Sequence, residues 1–281
     1  MSGQPPDLFV VVAARRTGTN LLRELLNTNP SLAMLGEVLT PSSAPGHFAN
    51  FLRTLGNEGL ANADTQSTST LLDKYFSYIE YRIRNFWIDG NKPLLRAIGV
   101  DIKYDQLLDI SPANYVNESP FIIEYLRQRN ALIVHTVRNN IIHSAISDLI
   151  ARQRNLWHNH DGKIIDESYH IEPRLCLSRA REIVDQRAAF ERTTNGCRLV
   201  ECRYEDLVQS ISEVAPGAKL LNRCTALGHI TEALCVPFEF RDLGRLHKAI
   251  NIPYRQLIAN FDELAEAVRL SEFACLAQSL F

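Results

Sequence analysis

The 281-residue sequence contains no CxxC pair, although it holds six cysteines, Cys176, Cys197, Cys202, Cys224, Cys235 and Cys275. None has a histidine at finger spacing, which argues against a structural zinc site and a dense disulfide framework. Buried free thiols in a reducing compartment are the expectation. The chain also lacks any apolar run near the roughly 18 residues of a membrane helix. Residues 1–8 show no basic stretch leading into an apolar one, so they do not read as a signal peptide, and a cytoplasmic location is expected. Charge of one sign is not in excess: 30 Lys and Arg stand against 32 Asp and Glu. A net charge of −2 supplies no field for a polyanion, so nucleic acid is not an expected partner. Thirteen glycines and twelve prolines are too few for a collagen-like or low-complexity chain. With no internal repeat and no linker, residues 1–281 read as one domain able to bury a sizeable core.

What is present is an alternation of strands and helices. Residues 8–14 (LFVVVAA) form a continuous apolar, β-branched run, the mark of a buried parallel strand. Leu21, Leu22, Leu25 and Leu26 then repeat as one helix face up to Asn29-Pro30. Further strands are predicted at 97–104, 131–137 and 198–202. Helices are predicted at 71–87, 119–129, 140–157 and 173–193, with mainly helical sequence from 211 onward broken at Pro237 and Pro253. This order implies βαβ units and a three-layer α/β fold, a central parallel sheet flanked by helices. The small polar residues 61–70 read as a flexible loop. The apolar stripe of 71–87 is a candidate homodimer surface.

The most informative segment is Arg15-Arg16-Thr17-Gly18-Thr19-Asn20-Leu21-Leu22, where the first strand turns into the first helix. A helix start offers unpaired backbone N–H groups and partial positive charge, glycine allows close approach, and Arg16 adds a planar cation. The arrangement suits a phosphate. A plain helix start capped by Thr17 or Thr19 explains the same residues. It is not GxxxxGK[ST], so a magnesium-dependent kinase or hydrolase is the less favoured reading. The second such place is Arg138, at the end of the predicted strand 131–137, where ligands bind in open parallel sheets. The following helix puts His143, Ser144, Ser147 and Arg154 on its less apolar face.

Both segments resemble those of sulfotransferases that use 3′-phosphoadenosine-5′-phosphosulfate (PAPS). The first is similar to the strand–[KR]-[ST]-G-[ST]-x-L-L–helix loop of that family, and the second to its strand-end Arg followed by a helical Ser. The bacterial carbohydrate branch, with its nodulation-factor and trehalose enzymes, resembles the chain most. The resemblance implies a P-loop-like fold and in-line transfer of a sulfuryl group from PAPS to a hydroxyl, leaving PAP, with no metal. It places Arg15, Arg16, Thr17, Gly18, Thr19, Asn20 and Leu21 around the phosphosulfate, and Arg138 with Ser147 at the 3′-phosphate. An Arg–Ser interval of about nine favours Ser147, and Ser144 is the alternative. Glu37, in the Gly36-Glu37 pair, matches the branch's catalytic base, with Arg16 stabilising charge; a histidine is the alternative base.

Weaker likenesses cover Gly99 to Lys103, Arg203-Tyr204-Glu205-Asp206-Leu207, and residues 248–264, where Lys248 and Arg255 are candidates to close over the nucleotide. The first two are expected to be structural. Residues 38–95 and 155–172 are expected to face the acceptor, a small molecule, carbohydrate or glycolipid that carries the hydroxyl; Trp157, His158, His160, Tyr169 and His170 fall in the second stretch, where a plain surface loop explains them as well. A non-catalytic nucleotide-binding protein is the remaining alternative.

Overall fold

The computed structural model describes residues 7–42, 44–55, 65–87, 94–110, 119–154, 167–212, 224–240 and 253–280. Strands β1 (Asp7–Ala13), β2 (Leu32–Glu37), β3 (Ala97–Lys103), β4 (Leu132–Val137) and β5 (Arg198–Arg203) form one parallel sheet in the order β2-β3-β1-β4-β5. β1 is flanked on both sides, Ala13 standing opposite Lys103 of β3 and Thr136 of β4. This explains its unbroken apolar sequence: residues 9–13 have no exposed surface.

Alternation along β1 divides the core between the two faces. Val10 and Val12 pack with α3 (Thr65–Arg82), α4 (Phe121–Gln128) and the end of α6 (Pro173–Thr193). Phe9 and Val11 pack with Leu22, Leu25 and Leu26 of α1 (Thr19–Thr28) and with Leu227 and Ile230 of α8 (Thr225–Ala233). A third cluster joins α5 (Ile141–Arg154), α6 and α10 (Phe261–Arg269). Each fully buried Leu, Ile, Val or Phe contributes roughly 1.5–3 kcal/mol, so helices on both faces are what make the sheet stable. Two shorter helices complete the labels used below, α2 (Phe48–Thr54) and α7 (Tyr204–Ser212); α9 (Tyr254–Leu257) precedes α10.

The expected α/β three-layer fold is observed. Helix α6 runs as the periodicity predicts. Three expectations change. Residues 32–37, absent from the predicted strands, form β2, an edge strand of the sheet. Its short sequence (LAMLGE) hides it, since its register shifts between Met34 and Glu37. Of the loop expected at 61–70, residues 61–64 lie outside the described residues, whereas 65–70 form the first turns of α3. The stripe of Leu72, Tyr75, Phe76, Ile79 and Ile83 is buried inside the chain's own core, which removes it as a dimer surface. Among the described residues, no helix is long and apolar enough to cross a membrane.

Candidate active site

The site lies at the carboxyl ends of β1, β3 and β4, where three connections meet. In the β1–α1 loop, Arg16 (φ 65°) and Gly18 (φ 88°) both take the left-handed conformation, with Thr17 between them. Only glycine adopts it at little cost, so Gly18 is required there and Arg16 is a strained residue. The Thr17 hydroxyl donates to the Ala14 carbonyl at 2.9 Å and ties the loop back to the strand. No side chain caps α1 and its first turn holds no acid. The helix start is therefore positively polarised and open to an anion.

Helix α5 faces this loop. Arg16 donates from Nε to Ser147 Oγ at 3.0 Å. Arg138 donates to the Arg16 carbonyl at 3.3 Å, and its guanidinium stacks over the Tyr204 ring at 4.6 Å. The same ring reaches Gly18: a Cβ there would stand 2.3 Å from Tyr204 Cδ2. Glu205 accepts from the backbone N–H groups of Asn139 and Asn140 at 3.1–3.4 Å, holding the turn into α5. Burial lowers the Arg16 guanidinium below the usual arginine range, opposed by Asp148, and the nearby Arg138 adds to the lowering. Two cations held side by side are suited to a multiply charged anion.

Ser144 does not join them. Its hydroxyl is buried and has no hydrogen-bond partner. Of the two candidate serines, Ser147 alone meets the arginine loop.

A second group surrounds Glu37, at the end of β2. Its Oε2 accepts from Arg15 at 3.3 Å and from the Thr40 hydroxyl at 3.2 Å. Its side chain keeps 31% of its surface exposed, so an incoming hydroxyl can reach it. Arg15 also donates to Asp105 at 3.0 Å. Burial alone would lower Arg15, but Asp105 and Glu37 outweigh it and raise it. Buried Lys103 donates to Thr19 Oγ1 at 2.7 Å and to Asp101, and lies 3.8 Å from Glu37 Oε1.

Residues 6–216 match a family model described as "Sulfotransferase family". The chain belongs to the sulfotransferase family. No curated protein sequence matches it. Solved structures similar to this sulfotransferase include a sulfotransferase from Alicyclobacillus acidocaldarius, at 15% identity and a TM-score of 0.45, covering 99% of this chain and 95% of that one. The sulfotransferase domain from the curacin biosynthetic pathway is 13% identical, with a TM-score of 0.47 and coverage of 99% and 97%. Mouse sulfotransferase SULT7A1, solved in complex with PAP, is 14% identical, with a TM-score of 0.40 and coverage of 99% and 91%.

In the sulfotransferase, Arg16, Thr17, Gly18, Thr19, Arg138 and Ser147 lie together about the β1–α1 loop. Arg15 departs from them: its guanidinium faces Glu37 and Asp105 rather than the Arg16–Ser147 pair. Leu21 packs against the core on the α1 side of the sheet. Lys248 lies outside the described residues, as do Trp157, His158 and His160. Arg255 pairs with Asp262 at 2.9 Å and lies over Phe261, which directs it along the C-terminal segment. Tyr169, expected in an acceptor loop, is buried and bridges to Ile258.

Tyr204, expected to be structural, touches both Gly18 and Arg138. Sequence reading missed a second tyrosine. Tyr254 lies against His143, with ring centroids 4.8 Å apart and the rings tilted by 54°. Burial raises its phenol, opposed by neighbouring Arg138 and Arg16, which places it beside the cation pair. Only its separation of more than a hundred residues from that pair concealed it.

Proposed function

We propose that this sulfotransferase moves a sulfuryl group from PAPS to a hydroxyl of a small, sugar-bearing acceptor, with Glu37 as base. The observation that carries the reading is the Arg16–Ser147 contact at 3.0 Å, which joins the helix start after β1 to the helix after β4. A carrier with charge at two separated positions needs two such places. The left-handed Gly18 lets the loop backbone approach one charge closely, and Arg138 is held ready for the other.

PAPS supplies the activated sulfuryl group. Arg16 and the N–H groups of Gly18, Thr19 and Asn20 stabilise the charge that grows during transfer, while Arg138 and Ser147 hold the 3′-phosphate. Glu37 accepts the acceptor's hydroxyl proton. Fixed donors and positioning provide most of the barrier reduction in such chemistry. The Gly36-Glu37 pair supports the likeness to the carbohydrate-type branch, and the partial exposure of Glu37 leaves room for an acceptor.

The test is incubation with labelled PAPS and a pool of metabolites, read by mass spectrometry for products heavier by one SO₃. Glu37→Gln is expected to bind PAP as the parent does and to lose turnover by a factor on the order of 10²–10⁴. Parent-like turnover would move the base to another residue.

A further inference from the structure

Asp101 and Lys103 stand two residues apart on β3 and therefore on one face of the sheet. Each retains 2% of its surface. The Lys103 ammonium lies 2.9 Å and 2.7 Å from the two Asp101 oxygens and 2.7 Å from Thr19 Oγ1. Glu37 Oε1, at 3.8 Å, is beyond hydrogen-bond reach. Burying an ammonium without a counter-charge is costly, so Asp101 accounts for the presence of Lys103 here. It also accounts for its direction. An ammonium has three N–H donors, and Asp101 and Thr19 occupy them on the side of the β1–α1 loop. Because Thr19 Oγ1 accepts from Lys103, its own hydroxyl proton is left to donate outward.

We infer that Asp101 is a positioning residue, which holds Lys103 on the loop threonine and off the Glu37 carboxylate. The kinetic consequence rests on the reading of Glu37 as base; the geometric one does not. Among the described residues, Glu37 is the other carboxylate within 4 Å of the Lys103 ammonium. Arg15 and Thr40 already occupy Glu37 Oε2. A lysine released from Asp101 turns to the remaining oxygen, Oε1, and covers the lone pairs that would accept the acceptor's proton.

Asp101→Asn tests this directly, since it keeps shape and an accepting oxygen but removes the charge. A crystal structure of the variant is expected to show Lys103 Nζ within hydrogen-bond distance of Glu37. Turnover is expected to fall at least tenfold, while PAP affinity by calorimetry changes less than threefold. In a Glu37→Gln background the same substitution is expected to cost no further turnover, because no charged partner is left at position 37. Lys103 unmoved on Thr19, or equal losses in both backgrounds, overturns the inference. Lys103 seated on Glu37 with turnover intact keeps the positioning role and removes Glu37 as base. Should Asp101→Asn not fold, the neutral pair Asp101→Asn with Lys103→Met is compared with Lys103→Met alone. Equal turnover supports an action through Lys103, and a further tenfold loss in the pair refutes it.

Discussion

Replacing Gly18 by alanine imposes two separable costs. The residue sits at φ 88°, where an L-residue with a Cβ is disfavoured by roughly 1–2 kcal/mol. The added methyl would also stand 2.3 Å and 2.7 Å from two Tyr204 ring carbons, a distance that forces the ring to move. That ring supports Arg138 at 4.6 Å, and losing the stack costs about a further 0.5–2 kcal/mol. The total is about 1.5–4 kcal/mol. At roughly 2–4 °C per kcal/mol, Gly18→Ala should lower Tm by about 3–16 °C. A double-mutant cycle separates the two costs. In a Tyr204→Ala background the clash is absent, so Gly18→Ala should cost only the backbone part, about 1–2 kcal/mol. Thermal denaturation of the four proteins measures both numbers, and PAP calorimetry reports whether Arg138 has moved. If Gly18→Ala costs the same with and without the tyrosine, the ring is not what limits the loop, and the reasoning fails.

Ser147→Ala should weaken PAP binding by about 1 kcal/mol, several-fold in Kd, since it removes the partner of Arg16 Nε. Ser144→Ala should leave binding unchanged and stabilise the fold slightly, because it deletes a buried hydroxyl without a partner; calorimetry and thermal melts on both variants decide between the serines. Stability should also depend on His135 of β4. Burial holds it neutral and pushes it down to about 4, whereas the unfolded chain takes up that proton near pH 6.5. The unfolded state therefore binds more protons between these values, so this stabilisation is complete above about pH 6.5 and is lost as pH falls toward 4, by up to about 3 kcal/mol. Denaturation at pH 7 and pH 5 should show the loss, and His135→Phe should flatten it; an unchanged slope would refute the assignment.

What the sequence disclosed follows from local physics. Parallel strands bring their carboxyl ends to one edge, so Arg16 after β1 and Arg138 after β4 become neighbours as soon as β1 and β4 pair. What it concealed depends on direction and distance. Arg15 and Arg16 are adjacent in sequence, but the left-handed turn at Arg16 sends one guanidinium to carboxylates and the other to Ser147. β2 went unrecognised because an edge strand of six residues with a register shift lacks a clear period. Lys103 read as a structural strand residue, and its contact with Thr19 appears only once β3 lies beside β1. Tyr254 reaches the cation pair from the far end of the chain, where no local pattern announces it.

The corner at Tyr204-Glu205 serves both halves of the site at once. Its ring lies between Gly18 and Arg138, and its carboxylate grips the backbone that leads into α5. Two neighbouring residues thus tie the Gly18 loop, Arg138 and the entry to α5 together. The corner behaves like the jaw of a preset gauge: drift here would move both arginine-bearing segments at once.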